Sequence, residues 1–193
     1  AMRLLLHSCC APCTTYCLEK LRSDGHEVHG YFYNPNIHPY TEFRRRLDAY
    51  REYCALVGLD ADVDAEYGLR QYLEEIGGDI EGRCVACYRM RLLPAAKLAL
   101  QRGADAFTTT LSISPYQDHE LLARVGEDVS KEVGVPFIYY DFTPGYRRSV
   151  EISRELGLYR QPYCGCIFSE EERYSPKFRK SKKRDSNAAS NRS

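Results

Sequence analysis

The stretch Leu4-Leu5-Leu6-His7-Ser8-Cys9-Cys10-Ala11-Pro12-Cys13 decides how this chain is read. Its apolar run is short and has no polar face, which predicts a strand buried on both sides. Three cysteines follow within five positions. Pro12 suits the first turn of a helix, where its missing N–H costs nothing. Thiols therefore stand where a strand ends and a helix begins, the place where α/β proteins hold ligands. Four more thiols come from Cys84-Val85-Ala86-Cys87 and Cys164-Gly165-Cys166.

Working outward, the chain alternates strand and helix. Strands are expected at Leu4–His7, Val28–Tyr33, Leu59–Val63, Asp105–Thr110 and Val135–Tyr140. Helices are expected from Pro12 to about Ser23, from an N-cap at Thr41 to Val57, over Leu69–Ile76, over Tyr88–Gln101, from the loop after Asp118 to about Val133, and over Arg147–Leu156. Arg83–Cys87 reads as loop or helix start, and Tyr159–Glu172 as irregular. Glycines at 25, 58, 77, 78, 103, 134 and 157 stand where helices should end. This alternation predicts an α/β, Rossmann-like parallel sheet with helices on both faces. One domain is expected over 1–174, followed by a disordered basic tail over 175–193.

Composition narrows the class. A chain of 193 residues with 44% hydrophobic content can bury a proper core without staples. No apolar run approaches a membrane span, and no export signal opens the chain, so a cytoplasmic protein is expected. Nine cysteines, bunched and odd in number, then point to metal or redox chemistry and away from a disulfide framework. The net charge of zero hides a tail at +6 against −6 for residues 1–174. A basic tail suits a polyanion such as tRNA, and equally a solvated segment without a partner.

Cys84-x-x-Cys87 has the spacing that lets two sulfurs reach one metal or cluster, and thioredoxin-like redox use competes with that reading. Cys9, Cys10 and Cys13 are the group expected to converge on it. Soft sulfurs suit a [4Fe–4S] cluster or zinc. Cys164 and Cys166 are too close for an unstrained disulfide, so a bond between them would be easily reduced, as befits a redox-active pair. Cys17 and Cys54 read as core residues. His7 reads equally as a hydrogen-bonding core residue or a ligand. Thr108–Thr110, Ser112, Ser114, Tyr116 and Gln117 place many hydroxyls and amides where a pocket is expected, or simply form turns.

Several of these segments together resemble the QueH family, the cobalamin-independent epoxyqueuosine reductases. They are Leu6–Cys13, Phe32–Pro39, Arg83–Cys87, Phe107–Pro115 and Leu158–Cys166, within a resemblance that covers about Leu4 to Glu172. The resemblance implies an oxidoreductase of tRNA modification that reduces epoxyqueuosine in tRNA to queuosine. It implies a [4Fe–4S] cluster on Cys9, Cys10, Cys84 and Cys87, and Cys164 with Cys166 as the redox-active pair. It also implies an additional mononuclear iron, for which Cys13 is a candidate ligand, and an electron donor that the sequence does not name. Such chemistry fits the residues: deoxygenation takes two electrons, a cluster relays them singly and a dithiol holds two. An open iron site would also polarise the epoxide.

Two other readings compete. A PP-loop-like tRNA-modifying enzyme shares the strand–loop–helix opening, but it calls for a Gly/Ser-rich phosphate loop where this chain has Cys-Cys-Ala-Pro-Cys. A non-catalytic, zinc-stabilised RNA-binding protein would use the same thiols and be colourless.

Overall fold

The computed structural model describes residues 1–178. The central strand is the leucine run. Strand β1 (Arg3–His7) pairs in parallel with β2 (Glu27–Phe32) on one side and β4 (Ala106–Thr109) on the other, and β3 (Ala61–Val63) extends the sheet beyond β2. The order is β3-β2-β1-β4. Leu4, Leu5 and Leu6 are each at most 1% exposed, and burying a leucine is worth ~1.5–3 kcal/mol.

Alternation along β1 divides these leucines between two layers. Leu5 and its neighbour Phe107 meet Leu92, Ala95, Ala96 and Ala99 of α4 (Arg83–Gln101) and Leu122, Val125 and Val129 of α5 (His119–Val133). Leu4 and Leu6 face Cys17 and Leu21 of α1 (Ala11–Ser23), with Ile113 and Phe142. On the α1 side lie α2 (Tyr40–Val57) and α6 (Tyr146–Glu155). Ala95, Ala96 and Ala99 of α4 are fully buried, and their small side chains let the helix lie close to the sheet. Helices α3 (Leu69–Ile76) and α7 (Ile167–Tyr174) complete the layers near the thiols.

Several expectations need correction. Val135–Tyr140 forms no ladder strand: a single parallel bridge joins Phe137 to Phe107. Pro136 has no N–H to donate, which cuts the ladder short, and Gly126 of α5 leaves the space that the Phe137 ring fills, with a Cβ there only 2.2 Å from that ring. The segment thus packs as an edge cover. Helix α2 begins at Tyr40 after an extended Pro39, so Thr41 is inside the helix and does not cap it. Helix α4 begins at Arg83, which places both Cys84 and Cys87 on its first turns. Ile167–Tyr174 is helical where irregular chain was expected; it buries none of its residues, so it has no apolar stripe to read. Cys17 is fully buried core, and Cys54 is a half-buried side chain against two apolar clusters. Residues 179–193, most of the expected tail, lie outside the described residues.

Candidate active site

The end of β1 delivers the first thiol group. Cys10 is the N-cap of α1, and its Sγ accepts the Cys13 backbone N–H at 3.3 Å. Sγ atoms of Cys9, Cys10 and Cys13 all lie within 4.8 Å of one another. Thr110, in the 3₁₀ turn Thr110–Ile113 that follows β4, donates its hydroxyl to Cys9 Sγ at 3.2 Å and accepts the Cys9 N–H at 3.0 Å. Gln161 Nε2 donates to Cys10 Sγ at 2.8 Å. The triad titrates as a unit. Hydrogen bonds from Cys10 and Cys13, with help from Thr110, hold Cys9 well below the usual thiol range against its burial. Burial pushes Cys10 up, and donating to Cys10 and Cys9 pushes Cys13 up.

Helix α4 delivers the second group. Cys84 is exposed and Cys87 buried. Burial raises the Cys87 thiol to about 12, although Arg91 works against the rise. Arg91, one turn along the helix, is 2% exposed. Its Nη2 donates to Cys87 Sγ at 3.2 Å and its Nε to the Cys87 carbonyl at 2.9 Å. No carboxylate pairs with it among the described residues; the anionic forms of Cys87, Cys164 and Cys9 are what its charge meets first.

The third group is the loop carrying Cys164 and Cys166, and side chains hold it from outside. Arg46 donates Nη1 to the Cys164 carbonyl at 2.8 Å and Nη2 to the Tyr163 carbonyl at 2.9 Å, while its Nε pairs with Glu42 at 2.9 Å. Glu42 accepts the Tyr159 hydroxyl at 2.6 Å. His38 donates its backbone N–H to the Gly165 carbonyl at 2.9 Å, and its Nδ1 accepts the Ile167 N–H at 3.1 Å. Its Nε2 lies 2.8 Å from the Pro35 carbonyl, so the ring is neutral with the proton on Nε2. Cys166 caps α7, and its Sγ shares an apolar cluster with Cys87, Tyr72, Ile76 and Met90. Burial works to raise the Cys166 thiol, but interactions with Tyr72, Ser169 and Arg83 outweigh it and set it below the usual thiol range.

This geometry can be set beside known proteins. A sequence model described as Epoxyqueuosine reductase QueH matches residues 4–172. The chain belongs to the QueH family. The epoxyqueuosine reductase QueH of Dehalococcoides mccartyi is 41% identical over 174 residues, which cover 90% of this chain and 96% of that protein. Its counterpart from Thermotoga maritima is 33% identical over 183 residues, covering 88% and 91%. A solved structure titled as a "predicted subunit of tRNA methyltransferase" from Methanocaldococcus jannaschii aligns with a TM-score of 0.53 at 12% identity, over 80% of this chain and 75% of that one. That likeness concerns the fold alone and agrees with the Rossmann-like sheet. As a QueH protein the chain is an epoxyqueuosine reductase, an oxidoreductase.

Within the QueH chain the expected site residues fall into place unevenly. Cys9, Cys10 and Cys13 form one group and Cys84 and Cys87 stand outside it; Arg91, bonded to Cys87, also feels the charge of Cys9. Cys164 is exposed and lies 3.5 Å from Gln117 Nε2. His7 is a buried hydrogen-bonding residue, 3.0 Å from Thr109 Oγ1 and 3.2 Å from the Tyr33 carbonyl, and burial lowers it to about 4. Of the expected pocket residues, Thr110 and Gln117 reach sulfur, while Ser112 and Ser114 bond within their own turns. Sequence reasoning missed Arg91, Gln161, Arg46, Glu42 and Arg83. Arg91 and the Glu42/Arg46 pair carry a readable signal, a spacing of four on one helix face. Gln161 carries none.

Proposed function

We propose that this chain deoxygenates epoxyqueuosine in tRNA to queuosine, with a [4Fe–4S] cluster on Cys9, Cys10, Cys84 and Cys87 and with Cys164 and Cys166 as a redox-active dithiol. Cys13 is the candidate ligand of an additional mononuclear iron. The observation that carries this reading is Arg91: a buried guanidinium, 3.2 Å from one thiol and within the field of others, with no carboxylate paired to it among the described residues. A buried cation is costly unless anions accompany it. Besides the Cys87 carbonyl and the Tyr88 ring, the groups that meet it are sulfurs, which become anions when they bind a metal, so the donor set fits a thiolate-bound cluster. When bound, such a cluster supplies one-electron transfer.

The chain's own residues prepare the rest. Thr110 and Gln161 orient the sulfurs of Cys9 and Cys10. Gln117 Nε2, held through its Oε1 by the Tyr88 hydroxyl at 2.6 Å, stands at the Cys164 thiol. An amide N–H at that point can donate to an oxygen gaining negative charge as the epoxide opens. Both C–O bonds break, two electrons and two protons enter, and the oxygen leaves as water. Oxidation of a dithiol to a disulfide releases those two electrons and two protons, and an external electron donor restores the dithiol. Free thiols of this kind persist in the cytoplasm, where we place the enzyme.

Anaerobic purification with iron and sulfide analysis, then assay on tRNA bearing epoxyqueuosine, tests the proposal. A brown protein absorbing near about 400 nm, as thiolate-bound clusters do, and active on that tRNA is expected. A colourless protein holding zinc and inactive on that tRNA overturns it.

A further inference from the structure

The two sulfurs of the Cys164-Gly165-Cys166 loop sit in opposite settings. Cys164 is exposed, and its Sγ meets Gln117 Nε2 at 3.5 Å. Cys166 is 7% exposed. Its Sγ accepts the Ser169 N–H at 3.3 Å in the first turn of α7. Two further groups favour its thiolate, the Tyr72 side chain in the same apolar cluster and the Arg83 guanidinium. Tyr72 is fully buried in the apolar cluster that contains Cys166, and its hydroxyl makes no hydrogen bond, which leaves it available to a thiolate formed there.

The backbone keeps these settings from exchanging. Arg46 holds the Tyr163 and Cys164 carbonyls, and the His38 N–H holds the Gly165 carbonyl. A Cβ at Gly165 would lie 3.1 Å from Asn36 Nδ2 and 3.4 Å from Arg46 Nη1. The inner side of the loop is therefore packed and tied, and an attacking reagent reaches it from the Cys164 side.

We propose that a thiol reductant regenerates the pair by attacking Cys164, with Cys166 as the leaving sulfur. The assignment rests on the reading of Cys164 and Cys166 as the dithiol that supplies electrons. A reductant thiolate attacks Cys164 Sγ of the oxidised pair. A mixed disulfide forms there, the Cys164–Cys166 bond breaks, and its electron pair leaves on Cys166. Ser169 N–H, Tyr72 O–H and Arg83 receive that thiolate, and a stabilised thiolate leaves faster. A second reductant thiolate then attacks the reductant's own sulfur in the mixed disulfide. The electron pair of that bond leaves on Cys164, which takes a proton from solvent. The enzyme has gained two electrons, and the reductant has become a disulfide.

The test uses the full chain, purified anaerobically, oxidised mildly and then treated with limiting glutathione, the product being mapped by mass spectrometry. Glutathione on Cys164 is expected. With glutathione disulfide as the probe, Cys166→Ser should hold a mixed disulfide at Cys164, a glutathione thiolate leaving, while Cys164→Ser should capture the probe at Cys166 about 10-fold more slowly or worse. Tyr72→Phe, which keeps the packed ring, should slow reduction of the oxidised pair by about 10-fold and leave alkylation of reduced Cys164 unchanged. Capture at Cys166 in the wild-type protein, or a reduction rate indifferent to Tyr72→Phe, overturns the assignment and leaves the dithiol reading standing. Absence of any Cys164–Cys166 disulfide after oxidation overturns both.

Discussion

The thiols at the end of β1 and those of the Cys164–Cys166 loop do different mechanical work, because different forces hold them. Cys9 and Cys10 continue a strand whose neighbours on both sides are paired in register, and Cys10 caps the helix that follows. Their positions are set by the backbone of the sheet. Cys164 and Cys166 belong to no ladder. They are held by Arg46, by His38 and by the donors around the Cys166 sulfur. The first group is fixed by backbone, as the proposed ligand role requires; the second is held by side-chain bonds, as suits the proposed exchange of partners.

The largest effect should come from the ligand side. Cys87→Ala should remove cluster absorbance and lower turnover by more than about 100-fold, since even the outer partners of metal sites are worth 10–100-fold. Full activity in this variant would break the ligand assignment. Cys164→Ser should keep the cluster absorbance and lose turnover when no reductant replaces the two electrons of the missing dithiol. Loss of iron in that variant would move Cys164 to the ligand side of the comparison.

Arg46→Met isolates the clamp. It leaves Glu42 buried without its cation, and cutting one partner from a buried pair costs about 3–5 kcal/mol, read by urea unfolding. Arg46→Lys should lose less, because it keeps the charge while giving up the fork onto the Cys164 and Tyr163 carbonyls. Equal stability of Arg46→Met and wild type would show that the loop holds itself.

His38 gives the clamp a pH dependence. Burial, and to a lesser degree Arg46, lowers it from its ordinary 6.5 to about 4. The unfolded chain therefore binds the proton that the folded chain refuses, so its stability contribution is present above about 6.5 and falls as pH drops toward about 4. At pH 5 the expected loss is about 2 kcal/mol. His38→Asn should flatten that part of the pH–stability curve, and an unchanged slope would remove His38 from the account. The smallest effect is expected of the tail: truncation after Tyr174 should weaken tRNA binding and flatten its salt dependence by several phosphate contacts, whereas identical binding would leave the tail without that role.

Much of this was legible in order along the chain. Three leucines before a thiol turn named the central strand, and glycine stops marked the helix ends. The helix after Cys87 was legible too, although it begins at Arg83, ahead of the expected Tyr88, and so carries both Cys84 and Cys87. What failed to show was decided by contacts far apart in sequence. Pro136 and Phe137 carry strand composition, yet the missing N–H and the space over Gly126 make them a cover. Helix α7 has no buried stripe and so left no period.

Local sequence, then, determined where each thiol stands on its own element, because caps, turns and alternation are set by neighbours in the chain. Only the tertiary structure decided which thiols meet, and with what. Arg91 becomes a counter-charge for sulfur because folding removes water from around it. Arg46 reaches Cys164 across 118 positions of sequence, a contact no local pattern encodes. Cys164 and Cys166 are two residues apart and alike in composition; packing alone leaves one in solvent and surrounds the other with donors.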